Sequence, residues 1–336
     1  MVKVAINGFG RIGRAVFKIL IEKHKNLQII AINDLTDTKT LAHLLEYDTM
    51  YGKWDKKIGF SKDSIIVDNK KYKVFAEKNP TELPWKRLGV STVLECTGLF
   101  RTKELCKLHL NAGAKNVIIS APAKSNDIPI YVLGVNERKI KKTDKIISNA
   151  SCTTNCIAPI VEILERKIGI KKVMMTTIHS YTSDQNLVDG PHKDLRRART
   201  AGQNIIPTTT GAALATIKTV PKLKGKFDGI SIRVPTALVS MSDFVFLLKK
   251  KTDTEKVNKI FVQEKKSKKY RDVIDITDKP LVSSDFIKNP YSAIIDLSMT
   301  KIVDGDLLKI VAWYDNEWGY SNRLAEITKL IAKIQK

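Results

Sequence analysis

Residues 2–13 read Val-Lys-Val-Ala-Ile-Asn-Gly-Phe-Gly-Arg-Ile-Gly, and on this stretch the fold class turns. Val2 to Ile6 form a short, largely apolar run of strand type. Gly8 to Gly13 then match G-x-G-x-x-G, and Val16, Phe17, Ile19 and Leu20 continue at helical spacing. A strand, a glycine turn and a helix in that order give an otherwise weak motif its meaning. The glycines permit a tight turn and let a pyrophosphate approach the backbone at the helix N-terminus. A second strand, Leu27 to Asn33, ends at Asp34. There an acid binds the ribose diol of a dinucleotide. An ionised Asp34 repels a 2′-phosphate, and Leu35-Thr36-Asp37 offer no arginine, so NAD is preferred to NADP. A plain tight turn followed by a strand-end acid is the alternative.

Further strands are expected at Thr92 to Cys96, Asn116 to Ser120 and Lys145 to Ser148, with a helix over Lys103 to Ala112. Alternating strands and helices predict an α/β fold with a doubly wound parallel sheet. Beyond residue 150 the texture changes. Strand-like runs at Val173 to His179, Gly229 to Val234, Ser242 to Leu248, Ala293 to Leu297 and Leu307 to Tyr314 predict an α+β region with a mixed, largely antiparallel sheet. Asp253 to Lys266 and Ser321 to Lys333 read as helices. Ser180 to Asn204 is polar and long for a loop, a length often tied to function.

The string Ser148-Asn149-Ala150-Ser151-Cys152-Thr153-Thr154-Asn155-Cys156 precedes an apolar helical run. Ser, Thr and Asn favour N-caps, which puts Cys152 in a first helical turn, where the dipole favours a thiolate. A buried, inert cysteine satisfies the same string. Among the five histidines, His179 ends an apolar strand and suits a cleft; an imidazole beside a thiol lowers its pKa and relays protons. Thr182, Arg196, Arg197, Arg199, the turn Thr208 to Gly211 and Arg233 are anion-binding candidates, each of which also suits a surface charge or internal pair.

The chain has 336 residues, 43% of them hydrophobic, which suggests two domains. It shows neither a membrane-length apolar run nor a signal-peptide pattern at its start. Four cysteines do not make a disulfide framework, and Cys152 and Cys156 lack a second pair for zinc, so no metal is expected. The net charge of +23 comes from lysines scattered in small groups rather than from a nucleic-acid module. Such a field attracts phosphates, and polyanions only non-specifically.

Taken together these motifs closely resemble the phosphorylating glyceraldehyde-3-phosphate dehydrogenases. The likeness covers VKVAINGFGRIGR at 2–14, ECTGLF at 95–100, SNASCTTNCIAP at 148–159, TTIHSYTSDQ at 176–185, NIIPTTTGAA at 204–213 and WYDNEWGYSNR at 313–323. The cysteine usage predicts a reducing, cytoplasmic compartment, and the resemblance implies a homotetramer of two-domain subunits. Residues 1–150 would form a Rossmann NAD domain, completed by a C-terminal helix at 318–336, and residues 151–317 the catalytic domain. Cys152 would be the nucleophile and His179 the base. Gly8, Gly10, Arg11, Ile12, Asp34, Lys78, Ser120 and Asn316 would hold NAD. Ser151, Thr153, Thr210 and Gly211 would bind attacking inorganic phosphate. Thr182, Arg197 and Arg233 would also contact phosphate, with Thr182 and Arg233 on the C3 phosphate of the substrate. Residues 180–204 would border the NAD site of a neighbouring subunit. The implied reaction converts D-glyceraldehyde 3-phosphate to 1,3-bisphosphoglycerate through a cysteine thioester. Leu214, Lys78 and Leu238 depart from the common pattern, which has Lys, Arg and Asn there. An erythrose-4-phosphate dehydrogenase is the nearest rival, and the intact Thr208 to Gly211 turn argues against it.

Overall fold

A computed structural model describes residues 1–334; Gln335 and Lys336, the last two positions of the helix expected at 318–336, lie outside the described residues. The chain divides into two compact units. The first comprises Met1–Tyr131, Arg138–Ala150 and the described residues from Ser321 onward. The second comprises Val132–Glu137 and Ser151–Tyr320.

The first unit is built on a sheet of eight strands: β1 (Val2–Asn7), β2 (Leu27–Asn33), β3 (Ile58–Ser61), β4 (Ser64–Val67), β5 (Lys70–Phe75), β6 (Thr92–Glu95), β7 (Asn116–Ile119) and β8 (Ile146–Ser148). Their order is β3-β4-β5-β2-β1-β6-β7-β8. Every pairing from β5 to β8 is parallel, with helices α1 (Arg11–Lys23), α2 (Thr38–Glu46), α3 (Trp85–Leu88) and α4 (Lys103–Asn111) in the connections. Central strands of such a sheet are covered on both faces, which is why β6 and β7 are buried at every position, their polar Thr92, Glu95 and Asn116 included. The strand order reverses between β1 and β6, so the crevice at their carboxyl ends is where a doubly wound sheet takes its ligand. The antiparallel meander β3-β4-β5 is an addition that the sequence reading did not identify. Its third strand, Lys-Lys-Tyr-Lys-Val-Phe, buries Tyr72 and Val74 and exposes its lysines. Asp68 and Asn69, both at positive φ, make the tight turn before it.

The second unit contains β9 (Ile170–Ser180), β10 (Ile206–Thr209), β11 (Phe227–Val234), β12 (Ser240–Leu248), β13 (Ile274–Thr277), β14 (Ala293–Asp296), β15 (Lys301–Val303) and β16 (Leu307–Tyr314). The sheet order is β10-β11-β9-β12-β16-β14-β13, with β15 also paired to β16. Two pairings, β9 with β11 and β13 with β14, are parallel and the others antiparallel, as expected for a mixed, largely antiparallel sheet. One face of this sheet packs Val173, Met175, Phe244, Phe246, Leu308 and Ile310 into a core with α5 (Cys152–Lys167), α6 (Ala212–Thr219) and α7 (Thr254–Lys266). Burying each such large side chain stabilises by about 1.5–3 kcal/mol. The other face carries Met174, Ile230 and Val245 exposed. Helix α8 (Trp318–Ile334) closes the chain and buries Leu324, Ile327 and Ile331.

Candidate active site

Helix α5 starts at Cys152 because Ser151 caps it: the Thr154 backbone N–H donates to Ser151 Oγ at 3.0 Å. Ala150 just before the cap has φ +57°, a left-handed conformation that a non-glycine residue adopts at a cost. This sharp entry places the partly buried Cys152 at the first helical position. Cys156, one turn later, is fully buried beside Ser242, and burial pushes its thiol up. The two cysteines are therefore chemically distinct.

His179 comes from β9. Its Nε2 lies 3.5 Å from Cys152 Sγ, and its Nδ1 lies 2.7 Å from the Ser180 carbonyl. The Ser180 carbonyl only accepts; with the proton on Nδ1, Nε2 presents its lone pair to the thiol, and Arg233, itself only a donor, is directed to the Ser180 carbonyl rather than to Nδ1. Parallel pairing of β9 with β11 sets Arg233 directly opposite His179. Its Nη1 lies 3.0 Å from both His179 Nδ1 and the Ser180 carbonyl. Burial and then the Arg233 charge push His179 down to about 3, against the opposing Ser180 hydrogen bond. Burial also pushes the Cys152 thiol up, opposed by the Thr153 hydroxyl and the Arg233 charge. Burial thus outweighs the helix terminus that favours a thiolate: each group on its own is held neutral. Transfer of the proton from Sγ to Nε2 makes two opposite charges in contact, the arrangement in which each stabilises the other.

Tyr314 underpins this pair, a role the sequence reading left unassigned. Its hydroxyl lies 3.0 Å from Thr153 Oγ1 and 2.9 Å from Thr177 Oγ1, and its ring meets His179 edge-on. It thereby ties the α5 N-terminus to β9. Asn316 sits just beyond, and its Oδ1 accepts from Ser180 Oγ at 3.0 Å and Ser240 Oγ at 3.3 Å. An aromatic hydroxyl ending an apolar strand was the available sign for Tyr314. Ser240 becomes visible only through the register that pairs it with Tyr314.

The other expected anion ligands are distributed. Ser151 and Thr153 lie in the first turn of α5. Thr210 and Gly211 precede α6, which packs against α5, and Thr210 Oγ1 accepts from Ala212 N. Thr182 follows β9, and its carbonyl accepts from Gln185 N. Arg197 is already engaged: it donates to Asp184 at 2.6 Å, Thr208 Oγ1 at 3.0 Å and the Thr209 carbonyl at 3.1 Å. Its charge still bears on His179. Beyond Ser180, which ends β9, the rest of the polar segment (181–204) has no helix or strand and is held by such pairs, including Arg199 with Asp189.

In the first unit, a cavity of about 560 Å³ opens at the carboxyl ends of β1, β2 and β6. Gly8, Gly10, Asp34, Lys78, Thr97 and Phe100 are among its walls. The glycines divide by purpose. Gly8 has φ +89°, and a Cβ there would lie 2.7 Å from Thr97 N; a Cβ on Gly13 would lie 2.1 Å from the Gly8 carbonyl. Both are required by the protein's own packing. A Cβ on Gly10 would meet no described atom within 4 Å, and Gly10 is the N-cap of α1 without a side chain to cap it. The α1 start at Arg11 and Ile12 therefore turns the positive end of its dipole, with no capping side chain in the way, toward an incoming anion. Asp34 accepts from Phe9 N at 2.7 Å and Thr36 N at 2.9 Å, which ties the end of β2 to the glycine turn. Arg11 pairs with Asp48 at 2.6 Å and covers the Tyr51 ring. Ser120 follows β7 and holds the Cys96 thiol, which burial pushes up to about 12. This residue set fits a dinucleotide.

Two family models match the chain. The glyceraldehyde 3-phosphate dehydrogenase NAD binding domain matches residues 2–103, and the C-terminal domain of the same family matches residues 151–316. Glyceraldehyde-3-phosphate dehydrogenase of Thermotoga maritima is 53% identical over 335 residues, covering 99% of this chain and 100% of that protein. Glyceraldehyde-3-phosphate dehydrogenase 2 of Streptomyces avermitilis is 49% identical over 331 residues, 98% of each chain. Glyceraldehyde-3-phosphate dehydrogenase of Geobacillus stearothermophilus is 48% identical over 332 residues, again 98% of each.

Proposed function

Because the chain belongs to the glyceraldehyde-3-phosphate dehydrogenase family, we propose that it oxidises D-glyceraldehyde 3-phosphate with NAD and conserves the oxidation energy as an acyl phosphate. The observation that carries this reading is the contact of 3.5 Å between Cys152 Sγ and a His179 Nε2 whose lone pair faces it. His179 takes the thiol proton as sulfur attacks the aldehyde carbon and passes it to the carbonyl oxygen, giving a hemithioacetal on Cys152 and a neutral imidazole again. His179 then accepts the hemithioacetal hydroxyl proton as the carbon is oxidised. NAD would supply the hydride acceptor, and the residues that would hold it are Gly8, Gly10, Arg11, Ile12, Asp34, Lys78, Ser120 and Asn316. A thioester remains on Cys152. Inorganic phosphate bound by Ser151, Thr153, Thr210 and Gly211 attacks its carbonyl, a C–O bond forms as the C–S bond breaks, and sulfur leaves as a thiolate that takes the proton held on His179, regenerating thiol and base.

Arg233 and Thr182 bind the C3 phosphate of the substrate. That dianion offsets the Arg233 charge that depresses His179, so substrate binding itself restores basicity to the imidazole. Arg197, with three bonds to Asp184, Thr208 and Thr209, shapes the phosphate-binding segment in addition to its charge.

The assembly we propose is a homotetramer. The sheet face bearing Met174, Ile230 and Val245, and the exposed Leu187, Val188 and Leu195 of segment 180–204, support it. Isolated apolar residues on a monomer surface are ordinary, whereas a group on one sheet face marks an interface. A cytoplasmic location fits four free thiols. No helix among the described residues is long and apolar enough to cross a membrane.

Rapid mixing with glyceraldehyde 3-phosphate and NAD in phosphate-free buffer tests the reading. The expected result is a burst of about one NADH per subunit, followed by turnover on adding phosphate. Cys152→Ser should lose the burst and keep NAD binding. Steady turnover of erythrose 4-phosphate without phosphate would overturn the proposal in favour of a hydrolytic relative.

A further inference from the structure

Behind the dinucleotide cavity lies a buried polar chain that the catalytic scheme does not use. Glu95, at the end of β6, is fully buried and faces no lysine or arginine partner in its hydrogen bonds. Its carboxylate instead accepts from four neutral donors: Asn7 Nδ2 at 2.6 Å, His109 Nε2 at 3.2 Å, Thr97 N at 2.8 Å and the Thr97 hydroxyl. Four donors saturate a carboxylate.

The direction of every bond follows from the residue types. Trp85 Nε1, a donor only, lies 3.1 Å from His109 Nδ1. His109 Nδ1 is therefore the acceptor, the proton sits on Nε2, and the imidazole is a neutral donor to Glu95. Asn7 turns its amide nitrogen to Glu95, so its Oδ1 accepts from Asn33 Nδ2 at 2.7 Å. Asn33 in turn donates to the Glu77 carbonyl at 2.9 Å and accepts from Glu77 N at 2.9 Å. One unbroken chain thus runs from Trp85 to the backbone beside Lys78. Asn7, Asn33, Glu77 and Thr97 all line the cavity. The His109 ring also meets Phe100, another cavity wall, edge-on.

We propose that Glu95 is a positioning residue for the cofactor: its carboxylate sets the polarity of this chain and thereby the shape of the cavity wall along β1, β2 and the Glu77–Lys78 segment. The inference rests on the NAD reading above. Stability alone does not explain a buried carboxylate here, since apolar replacement of buried charges is often neutral or favourable. An acceptor-only group does explain it, because four donors converge on one point. Glu95→Gln keeps the volume but turns an amide N–H₂ toward two of those donors.

The test is calorimetric titration with NAD and with ADP-ribose, well below the unfolding midpoint. Glu95→Gln should raise both dissociation constants about tenfold or more, the scale of losing hydrogen bonds to a charged group. Turnover at saturating NAD and the rate of Cys152 alkylation should stay within about twofold of the parent, a pattern that general destabilisation does not produce. Dissociation constants within about twofold of the parent, or a parallel loss of Cys152 reactivity, would overturn the proposal. Trp85→Phe, outside the cavity wall, removes only the far donor and should weaken both ligands about threefold. If Glu95→Gln does not fold, unchanged affinity in Trp85→Phe overturns the proposal instead. A parent protein that bound neither ligand would refute the dehydrogenase reading rather than this one.

Discussion

Two helix starts in this protein solve the same electrostatic problem in opposite ways. At α1 the N-cap is Gly10, with open space where a side chain would be. At α5 the N-cap is Ser151, whose hydroxyl occupies the Thr154 N–H, with the Cys152 thiol beside it. Both termini carry the unsatisfied N–H groups and positive dipole end of a helix. The first leaves them to an anion from outside, as a pyrophosphate requires. The second satisfies part of them internally and spends the remainder on a covalently attached nucleophile. A bare start reads as a binding site, and a capped start with a reactive first residue reads as a reaction site.

The sharpest way to break that comparison is at the reaction site. His179→Asn removes the lone pair that faces Cys152, and kcat for the dehydrogenase reaction should fall about 10²–10⁴-fold, the usual range for a lost general base. The sign of the accompanying pH effect follows from burial. With its ordinary value already raised, the lone Cys152 thiol should ionise only at alkaline pH, so alkylation by iodoacetamide at pH 7 should slow markedly and recover as pH rises. Alkylation at pH 7 equal to that of the parent would show that the helix terminus alone activates the thiol.

The binding site gives a paired test. Gly10→Ala should leave the unfolding midpoint nearly unchanged, because the new Cβ meets only open space, yet it should weaken NAD about tenfold or more by filling the approach. Gly13→Ala should destabilise the fold by about 3 kcal/mol, because its Cβ would collide with the Gly8 carbonyl. Thermal unfolding and NAD titration on the same two proteins separate a glycine kept for a ligand from one kept for packing. Equal effects on both readouts would erase the distinction.

The difference between the two starts was largely legible in the amino-acid sequence. Glycine at 8, 10 and 13 after a buried strand, and Ser-Cys-Thr-Thr before an apolar helical run, are local signals that need no tertiary partner. Both sheets were also recognisable where strands are buried on both faces or β-branched. The β3-β4-β5 meander was not, because its lysines mask the alternation of Tyr72 and Val74. Helix α2 also escaped notice, although Asp37 caps it through Thr40 N. In the site, Cys152 and His179 were found from their neighbours in sequence. Ser240 and Glu95 act through register and burial over separations of tens of residues, so nothing local marks them, and for Tyr314 the only local sign is its hydroxyl at the end of an apolar strand. The engagement of Arg197 with Asp184 and Thr208 was equally invisible, since a free and a paired arginine look the same in sequence.

The smallest effect in the comparison is the most specific to it. If Ser151 serves α5 as an internal cap, Ser151→Ala should cost about 1 kcal/mol and lower the unfolding midpoint by about 2–4 °C. Ser151→Gly should cost only a few tenths of that energy, since a bare glycine start lets water or an anion take the vacated N–H. That variant gives α5 a bare start like α1 but removes a proposed phosphate ligand, so phosphate ions should protect it against unfolding less than they protect the parent. Protection by phosphate equal to that of the parent would mean that Ser151 serves α5 as a cap alone and not as a phosphate ligand.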